Sequence, residues 1–353
     1  MIIVLELFLQ FGLLLVLLGL CLWLGDKVFL VVEHLIYHLI YQSTWPRKLI
    51  WKFFYNSFSW YLKNENYFRS HNCGYAILTQ TGETLKLVAK QDIKNQYQNQ
   101  MYHYAALGIR NLDDLQGKNV LDLATGRGGG LAFLAKYFYP KNAVGIDISS
   151  HQIQFAQSHQ DEIDSLSYFQ GDVECLNAVN FDKDIQYDLI TCIESLHCFS
   201  NLSAIFNGVQ NLMQKNGNFV IVDIFEKKEV KNIEKIMKHF FMIEKREIIT
   251  INVKHAMNLD KPRVEKMISK FITDNEIAKQ VMRNILASAE GSKTYEELGK
   301  TKEYICYVLR HPNPAIDATH QCQSPNEKNM RRYQEQMALH SYQNDPQNQQ
   351  QSM

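Results

Sequence analysis

Three aspartates stand at or near the ends of short β-branched runs, where carboxylates from separate strands could act together. Asp122 lies in NVLDL beside a glycine loop, Asp147 ends AVGID, and Asp172 follows a third run in FQGDVECL. The carboxyl ends of parallel strands meet at one edge of a sheet, and ligands of such folds bind there. We therefore expect the three carboxylates to converge on one cleft, which would select a cationic ligand and repel a pyrophosphate.

The stretch VLDLATGRGGG, from Val120 to Gly130, joins the first predicted strand to a helix. Gly126 and Gly128 lack a β-carbon, so the chain can turn tightly and a ligand can lie against the backbone. The unpaired N–H groups at the start of the following helix would face that ligand. Asp147 comes 21 residues after Gly126, the approximate spacing at which a carboxylate accepts the hydroxyl groups of a ribose.

Two of the three aspartates also have a purely structural interpretation. Asp147 could support the cap of the next helix beside Ser149 and Ser150, and Asp172 could be an ordinary turn residue. The competing ligand is a nicotinamide dinucleotide, which would make the chain an oxidoreductase. It would share the glycine loop and Asp147, but it offers no reason for Asp122 and Asp172 together.

The elements that must position these residues alternate between apolar strands and helices. NVLDL, AVGID, YDLITCI and FVIVD are separated by stretches such as LAFLAKYF and SAIFNGVQNLM, which have helical spacing. Near-continuous apolar strands that alternate with helices are typical of a parallel sheet covered on both faces. The pattern therefore predicts an α/β, doubly wound fold.

Composition and charge exclude some functions. The 353 residues include 37 basic and 37 acidic side chains, which leaves no basic excess to neutralise a nucleic-acid backbone. The seven cysteines form no C-x-x-C pair and no cluster with histidine at zinc spacing, so we propose no metal site. They suit the role of small apolar residues in a reducing compartment.

The N-terminal sequence predicts a membrane anchor within residues 1–26. Residues 7–25 are apolar apart from Gln10, and about 20 helical residues span the ~30 Å hydrocarbon layer. No basic region precedes this run and no small-x-small cleavage site follows it, so we expect an uncleaved transmembrane helix and not a signal peptide. A buried helix of the main domain is the alternative.

Residues 27–65 predict an interfacial segment, because polar residues interrupt the apolar run and tryptophans then alternate with basic residues. Whether residues 28–42 span the membrane or lie on it stays open. The basic flank follows the anchor, so we expect the main domain, residues 66–311, in the cytosol at the endoplasmic reticulum or another endomembrane. Residues 312–353 are rich in Gln, Asn and Ser, which predicts a disordered tail.

Five motifs, VLDLATGRGGG, VGIDIS, GDVE, YDLITCIESLHCF and NGNFVIVDIF, resemble the successive motifs of class I S-adenosylmethionine-dependent methyltransferases. GRGGG and IESLHCF are similar to a branch that acts on lipids and polyketides, including phthiotriolone-type O-methyltransferases. The resemblance covers most of residues 67–310. It implies a mostly parallel seven-stranded sheet, with S-adenosylmethionine bound by a core at residues 118–226.

The resemblance also implies a role for each matching position. Asp122 would face the methionine ammonium directly or through water, Asp147 would hold the ribose, and Asp172 would bind the adenine edge. The remaining cofactor positions are loop residues and apolar residues that follow strands: Ala124, Gly126, Gly128, Ile148, Val173 and Ile193. Ala124 replaces a glycine of many members, and its methyl group would narrow the loop without closing it.

Two titratable residues after the fourth strand are candidates for the acceptor side. A hydroxyl acceptor must lose its proton, and His197, with an ordinary pKa of about 6.5, is the candidate general base. A histidine that only orients a loop is an equal alternative. Glu194 would contact the cofactor or support the site from behind, and Tyr102 and His103 could close over the methionine end.

The stretch from 253 to 289 mixes helix formers with Met257 and Met267, and we expect it to cap the acceptor site. Together with the anchor, it predicts a small hydrophobic or lipid-like acceptor that is methylated at oxygen. A membrane-tethered protein that keeps this fold without catalysis is the second alternative.

Overall fold

The computed structural model of the chain describes residues 47–62, 68–79, 84–85, 93–110, 112–160, 163–272, 275–286 and 290–312. The predicted anchor at 1–26, the interfacial residues 27–46 and the tail from 313 onwards lie outside them. Within the described ranges, no helix is both long enough and apolar enough to cross a membrane.

The described residues form helices and strands that alternate over most of the chain. In chain order they are α1 (Arg47–Tyr61), β1 (Ile77–Leu78), β2 (Thr84–Leu85), α2 (Gln96–Ala106), β3 (Asn119–Leu123), α3 (Gly129–Phe138), β4 (Asn142–Asp147), α4 (Ser150–Ser158), β5 (Leu166–Gln170), β6 (Tyr187–Ile193), α5 (Leu202–Leu212), β7 (Met213–Glu226), α6 (Val230–Phe240), β8 (Met242–Ile248), α7 (Thr250–Phe271), α8 (Glu276–Leu286), α9 (Lys293–Glu297) and β9 (Lys302–Arg310).

The central sheet has seven strands in the order β5-β4-β3-β6-β7-β9-β8. The first five are parallel to one another, and β9 runs antiparallel to both of its neighbours. The prediction of an α/β fold with a mostly parallel seven-stranded sheet is confirmed. Since β3, β4, β5 and β6 all end at the same edge, that edge collects the residues that follow them.

Alternation along the strands divides the core into two apolar layers. In β7, Val220 and Val222 pack in one cluster with residues of α2 and α3, and Phe219 and Ile221 pack in the other with residues of α5 and α6. Successive side chains of a strand point to opposite faces, so an apolar residue at every position requires cover on both sides. This is why the β7 run FVIV, residues 219–222, is continuously apolar.

The turn between β3 and α3 depends on contact with Tyr168 of β5. The Tyr168 hydroxyl donates a hydrogen bond to the Gly128 carbonyl at 2.7 Å. Gly128 has a φ of +76°, and a β-carbon there would lie 2.6 Å from the Tyr168 ring. The ring therefore occupies the space that a side chain at Gly128 would need, and it fixes the path of the loop.

The helix α1 packs on the α/β domain, although the sequence placed it in an interfacial segment that ends at residue 65. Leu62, directly after the helix, is fully buried beside Phe68 and Met267. Its carbonyl accepts a hydrogen bond from Arg127 at 3.1 Å. The predicted boundary at residue 66 therefore does not separate α1 from the domain.

The described residues of the predicted cap at residues 253–289 comprise most of α7 together with α8. Val253 and Met257 are completely buried in the apolar layer that also contains α2 and α3. Met267 packs against Leu62 and Phe68. These side chains fill the interior and are not exposed for an acceptor.

We predict that Gly128→Ala destabilises the protein more than Gly117→Ala. Both glycines have left-handed backbone angles, +76° and +73°, but a β-carbon at Gly117 meets nothing within 4 Å. The left-handed backbone angle should lower the free energy of unfolding by about 1 to 2 kcal/mol in each variant. In Gly128→Ala the clash with Tyr168 should lower it by a further ~1 to 3 kcal/mol. Urea denaturation followed by circular dichroism would measure both, and equal losses would contradict the role given to Tyr168.

Candidate active site

A pocket opens at the carboxyl ends of β3, β4, β5 and β6, with a volume of about 900 Å3 that includes open solvent. Three groups of residues form it: α1, the segment 70–72 with Tyr102, and the loops after the strands. The lining residues are Lys48, Trp51, Tyr55, Ser70, His71, Asn72, Tyr102, Ala124, Thr125, Gly126, Arg127, Asp147, Ile148, Gln152, Asp172, Val173, Glu174, Ile193, Glu194, Ser195, Cys198 and Phe199.

Backbone strain is concentrated where two of these strands end. Ala124 after β3 has a φ of +55°, and Glu194 after β6 has a φ of +52°. Left-handed angles cost an alanine or glutamate about 1 to 2 kcal/mol, so the surrounding contacts must maintain them. The Glu194 N–H donates to the Val222 carbonyl at 2.7 Å. The strain turns the chain sharply at the rim of the pocket.

Asp147 holds the two loops that meet at the pocket. Its carboxylate accepts from the Gly126 N–H at 2.9 Å and from the Ser149 N–H at 2.8 Å. Burial raises the pKa of Asp147 to about 6. Ser149, and not Asp147, caps α4 by accepting from the Gln152 N–H. Each carboxylate oxygen can accept more than one hydrogen bond, so Asp147 can also bind hydroxyl groups of a ligand in the pocket.

Asp122 does not line the pocket, which differs from the expectation that it faces the ligand. It is completely buried, and it accepts hydrogen bonds from the Tyr102 hydroxyl at 3.0 Å and the Thr191 hydroxyl at 2.6 Å. Burial raises the pKa of Asp122 to about 6. Tyr102 lines the pocket in its place, so Asp122 holds a side chain of the pocket and does not border the pocket itself.

Gly128 also lies outside the lining. Its carbonyl accepts from the Tyr168 hydroxyl, and a β-carbon there would meet the Tyr168 ring. The other positions predicted to bind the cofactor border the pocket: Ala124, Gly126, Asp147, Ile148, Asp172, Val173 and Ile193. His103 does not border it. It packs beside Phe138 with ring centroids 5.5 Å apart, and burial lowers its pKa to about 3.

Asp172 is bound from two sides. One carboxylate oxygen accepts from the Glu174 N–H at 3.0 Å, and the other forms an ion pair with Lys48 of α1. Lys48 also lies 3.5 Å from Glu174. The strand pattern predicted the position of Asp172, but it held no signal for a partner that precedes it by 124 residues.

Two aromatic residues of α1 form a wall of the pocket. Trp51 and Tyr55 stack with ring centroids 5.6 Å apart. The edge of Trp51 also meets His197, with centroids 6.0 Å apart. Sequence reasoning missed both residues, since aromatic residues beside lysines are equally typical of a membrane interface.

Glu194 is the titratable group of the pocket that is best suited to proton transfer. Its carboxylate accepts from the Cys73 N–H at 2.8 Å. Loss of contact with solvent raises the pKa of Glu194 to about 7, so the group can take up or release a proton near neutral pH. The sequence left two roles open for Glu194, contact with the cofactor or support of the site from behind, and the residue lines the pocket.

His197 is held by Asp223, and it does not line the pocket. Its Nδ1 lies 2.7 Å from one oxygen of Asp223, and its backbone N–H donates to the other at 3.1 Å. Burial lowers the pKa of His197, but the charges of Asp223 and Cys198 outweigh this effect and raise it well above its usual value. A protonated imidazole cannot accept a proton, so His197 is less suited than Glu194 to act as the base.

Asp223 was missed, although a signal existed. It ends the apolar run FVIVD in β7, just as Asp147 ends the run in β4. Since β7 is parallel to β6, its carboxyl end had to lie at the same edge of the sheet. The rule that selected the other three aspartates would have included it.

Two buried oxygen atoms show that the pocket suits a polar ligand. Gln152 Oε1 and Ser70 Oγ have no hydrogen-bond partner among the described residues, and both residues line the pocket. A β-carbon at Gly126 would lie 3.1 Å from Gln152 Oε1, so a side chain at position 126 would crowd this oxygen. Buried polar atoms without partners are costly, and the hydroxyl and amino groups of an adenosyl ligand could satisfy them.

Comparison with known proteins identifies the family. A family model described as a methyltransferase domain matches residues 114–303, which is more than half of the chain. The chain belongs to this family. The resemblance predicted from the sequence is confirmed, and the methyl donor is S-adenosylmethionine. The first alternative, a nicotinamide-dependent oxidoreductase, is therefore wrong.

Relatives of this methyltransferase occur in mycobacteria. A fatty-acid O-methyltransferase of Mycolicibacterium smegmatis is 26% identical over 229 residues, which cover 64% of this chain and 78% of that protein. A phthiotriol/phenolphthiotriol dimycocerosates methyltransferase of Mycobacterium tuberculosis is 27% identical over 130 residues, or 37% of this chain. The matched part spans 45% of that relative's length.

Solved structures with a similar arrangement have low identity. A cyclopropane synthase from Mycobacterium tuberculosis has a TM-score of 0.48 and 16% identity, and the match covers 61% of this chain and 84% of that one. A phosphoethanolamine N-methyltransferase of Haemonchus contortus, in complex with S-adenosyl-L-methionine, has a TM-score of 0.48 and 17% identity. That match covers 61% of this chain and 52% of the other.

We predict that Asp223→Asn lowers the pKa of His197 by about one to three pH units, because the neutral amide no longer favours the imidazolium. A raised pKa stabilises the folded state below the ordinary histidine pKa, and this contribution disappears as the pH rises through the raised value. The variant should therefore lose most stability at acidic pH. Nuclear magnetic resonance titration of His197 and urea denaturation at several pH values would measure both effects.

The matched control is Asp188→Asn. Asp188 also accepts from a backbone N–H, that of Asn119 at 2.9 Å, but it stands near the start of β6, whereas His197 follows the end of that strand. Its replacement should leave the titration of His197 unchanged. An unaltered His197 titration in Asp223→Asn would show that Asp223 does not set the charge of the histidine.

Proposed function

We propose that this enzyme transfers the methyl group of S-adenosylmethionine to an oxygen atom of a small hydrophobic or lipid-like acceptor. The observation that carries the proposal is the position of Glu194, a carboxyl group with a pKa of about 7, on a pocket that Trp51 and Tyr55 also line. A base beside aromatic surface suits an apolar molecule with one acidic hydroxyl or carboxyl group. Two relatives are named for a fatty acid and for phthiotriol dimycocerosates.

The donor would be bound mainly by the loops after β3, β4 and β5. Asp147 would accept hydrogen bonds from the ribose, and Asp172 with Val173 would border the adenine. The Tyr102 hydroxyl donates its hydrogen bond to Asp122. Its oxygen would accept a hydrogen bond from the methionine ammonium. Ala124, Gly126, Ile148 and Ile193 would complete the surface through backbone and apolar contacts.

Bound S-adenosylmethionine supplies a methyl group on a positively charged sulfur, and this charge is lost during the transfer. The protein has to orient the acceptor, exclude water and remove a proton where the acceptor is a hydroxyl. Glu194 would take that proton. The Cys73 N–H, 2.8 Å from one Glu194 oxygen, would keep the carboxylate in place and stabilise its ionised form.

His197 would act as a positioning residue in this scheme. Through its ring and its backbone N–H it fastens the loop of Glu194, Ser195 and Phe199 to Asp223. This interaction fixes the segment whose residues form one side of the pocket. The alternative that the sequence left open, a histidine that orients a loop, therefore fits the contacts better than a general base.

We also propose that the enzyme works at an endomembrane, with residues 1–26 as an anchor and the catalytic domain in the cytosol. The support is the apolar run at residues 7–25 and the basic residues that follow it. A substrate that dissolves in the bilayer would then be close to the pocket. Immunofluorescence after selective permeabilisation of the plasma membrane would reveal the side on which the domain lies.

Transfer to a lipid can be tested with methyl-labelled donor. Membranes that contain the enzyme are incubated with labelled S-adenosylmethionine, extracted with organic solvent, and the labelled product is analysed by mass spectrometry. We expect label in the organic phase with the wild-type chain. Glu194→Gln, which keeps the shape of the side chain, should lower the rate about 10² to 10⁴-fold while S-adenosylhomocysteine still binds.

The two parts of this result are independent. Label that remains entirely in the aqueous phase would contradict a lipid-like acceptor. Full activity of Glu194→Gln would instead remove the base role from Glu194 and leave the acceptor class intact. If the donor binds but neither chain forms labelled product, the result would favour a binding protein that keeps the fold without catalysis.

We predict that Asp147→Ala weakens S-adenosylhomocysteine binding by about 10 to 100-fold, since hydrogen bonds to a charged group contribute about 1.5 to 3 kcal/mol. Calorimetric titration of the two chains would measure the loss. Asp184→Ala, at an exposed position on the loop before β6, is the matched control and should bind normally. Equal affinity of Asp147→Ala and the wild type would rule out the donor site proposed here.

A further inference from the structure

The inner face of α1 is part of the donor pocket. Lys48 is ion-paired with Asp172 and lies 3.5 Å from Glu174, and Trp51 and Tyr55 line the cavity. One turn of the helix thus reaches the proposed adenine end, and the next turns form an aromatic wall. Movement of α1 away from the domain would open the pocket along this whole side.

Further polar contacts fasten the second half of α1. The Ser149 hydroxyl donates to the Asn56 side-chain oxygen at 2.6 Å, and Arg127 donates to the carbonyl of Leu62 at 3.1 Å. Ser149 also donates its N–H to Asp147. The helix is therefore connected to the carboxylate that is proposed to bind the ribose, and its position and the geometry of the donor site depend on each other.

The outer face of α1 exposes aromatic surface. Phe53, Ser57 and Trp60 follow one another at spacings of four and three residues, which places them on one side of a helix. The exposed fractions of Phe53 and Trp60 are 48% and 58%, and Ser57 is exposed between them. Large exposed aromatic residues in one row are typical of a surface that contacts another phase or molecule.

The sequence before α1 indicates what this phase is. The run of 19 residues from Leu7 to Gly25 contains one polar side chain, and only 21 residues separate it from Arg47, where α1 begins. A run of this length suits the hydrocarbon layer of a bilayer, so its insertion would keep α1 near the membrane surface. Tryptophan and phenylalanine are favoured at headgroup depth, and Lys52 beside Phe53 would favour anionic lipids.

We propose that the face formed by Phe53, Ser57 and Trp60 docks on the surface of a lipid bilayer, and that this docking holds α1 closed over the donor pocket. The opposite sides of one helix would then contact the membrane and the cofactor. Donor binding would be strongest at the membrane, where an apolar acceptor is also concentrated. The docking of this face does not depend on the acceptor proposed above. Its effect on donor affinity rests on the donor site proposed above.

Docking can be tested by chemical labelling of a full-length chain that carries both Ser57→Cys and Lys141→Cys. Lys141 is exposed at the start of β4, at the edge of the sheet opposite the pocket. The chain is reconstituted in phosphatidylcholine vesicles with a minor fraction of phosphatidylserine and treated with a membrane-impermeant maleimide. Peptide mass spectrometry gives the ratio of labelling at positions 57 and 141 in the same molecules, so the orientation of the vesicles cancels.

The comparison chain carries the same two cysteines together with Phe53→Ser and Trp60→Ser. We expect the ratio of labelling at 57 to labelling at 141 to be at least about fivefold lower when the two aromatic residues are present. Equal ratios in the two chains would overturn the docking surface. A ratio that rises when the protein is diluted with excess lipid would assign the face to a second copy of the chain and would also overturn the proposal.

Closure of α1 is tested separately through donor affinity in the same vesicles. The Phe53→Ser/Trp60→Ser chain should bind S-adenosylhomocysteine about three- to tenfold more weakly than the wild type, because fewer molecules hold α1 in the binding position. Lys141→Ser is the matched control and should bind normally. Reduced labelling at position 57 together with unchanged affinity for S-adenosylhomocysteine would support the docking surface and overturn the closure of α1. Neither measurement depends on methyl transfer.

Discussion

Burial of acidic groups at one edge of the sheet is the constraint on which the rest of the site depends. Asp122, Asp147 and Asp223 are almost inaccessible to solvent, and Glu194 stands among them with a raised pKa. A buried carboxyl group is unfavourable unless it is hydrogen-bonded. The surrounding elements supply the donors: hydroxyl groups for Asp122, backbone N–H groups for Asp147, the Cys73 N–H for Glu194 and a histidine for Asp223.

These donors come from distant parts of the chain, and for this reason the site is a product of the whole fold. Cys73 precedes the first strand of the central sheet, Tyr102 lies on α2 and Ser149 follows β4. Each is placed by packing of its own element against the two apolar layers. A cationic ligand beside these groups would lower the free energy of their ionised forms, and so ligand binding and the protonation of the site are coupled.

Much of the fold was predictable because the apolar runs of β3, β4, β6 and β7 had to be covered on two faces. The same rule placed Asp147 and Asp172 at the pocket. It could not place α1, because its aromatic and basic residues suit a bilayer surface and a protein surface equally well. The ion pair of Lys48 with Asp172 depends on tertiary packing, which local patterns do not encode. Likewise, Met257 and Met267 were compatible with an acceptor site or with the core, where the structure puts them.

Tyr168 has a consequence for the way this sequence can change. Its ring fills the space beside Gly128, and a β-carbon at Gly145 would also lie 2.7 Å from it. Two neighbouring positions must therefore remain without side chains as long as the ring is present. A smaller residue at position 168 would leave a void beside both glycines, but a β-carbon at Gly145 would still lie 2.8 Å from Thr125 Cγ2. Substitutions at these positions are thus expected to be strongly non-additive, and they should be exchanged together when this loop is redesigned.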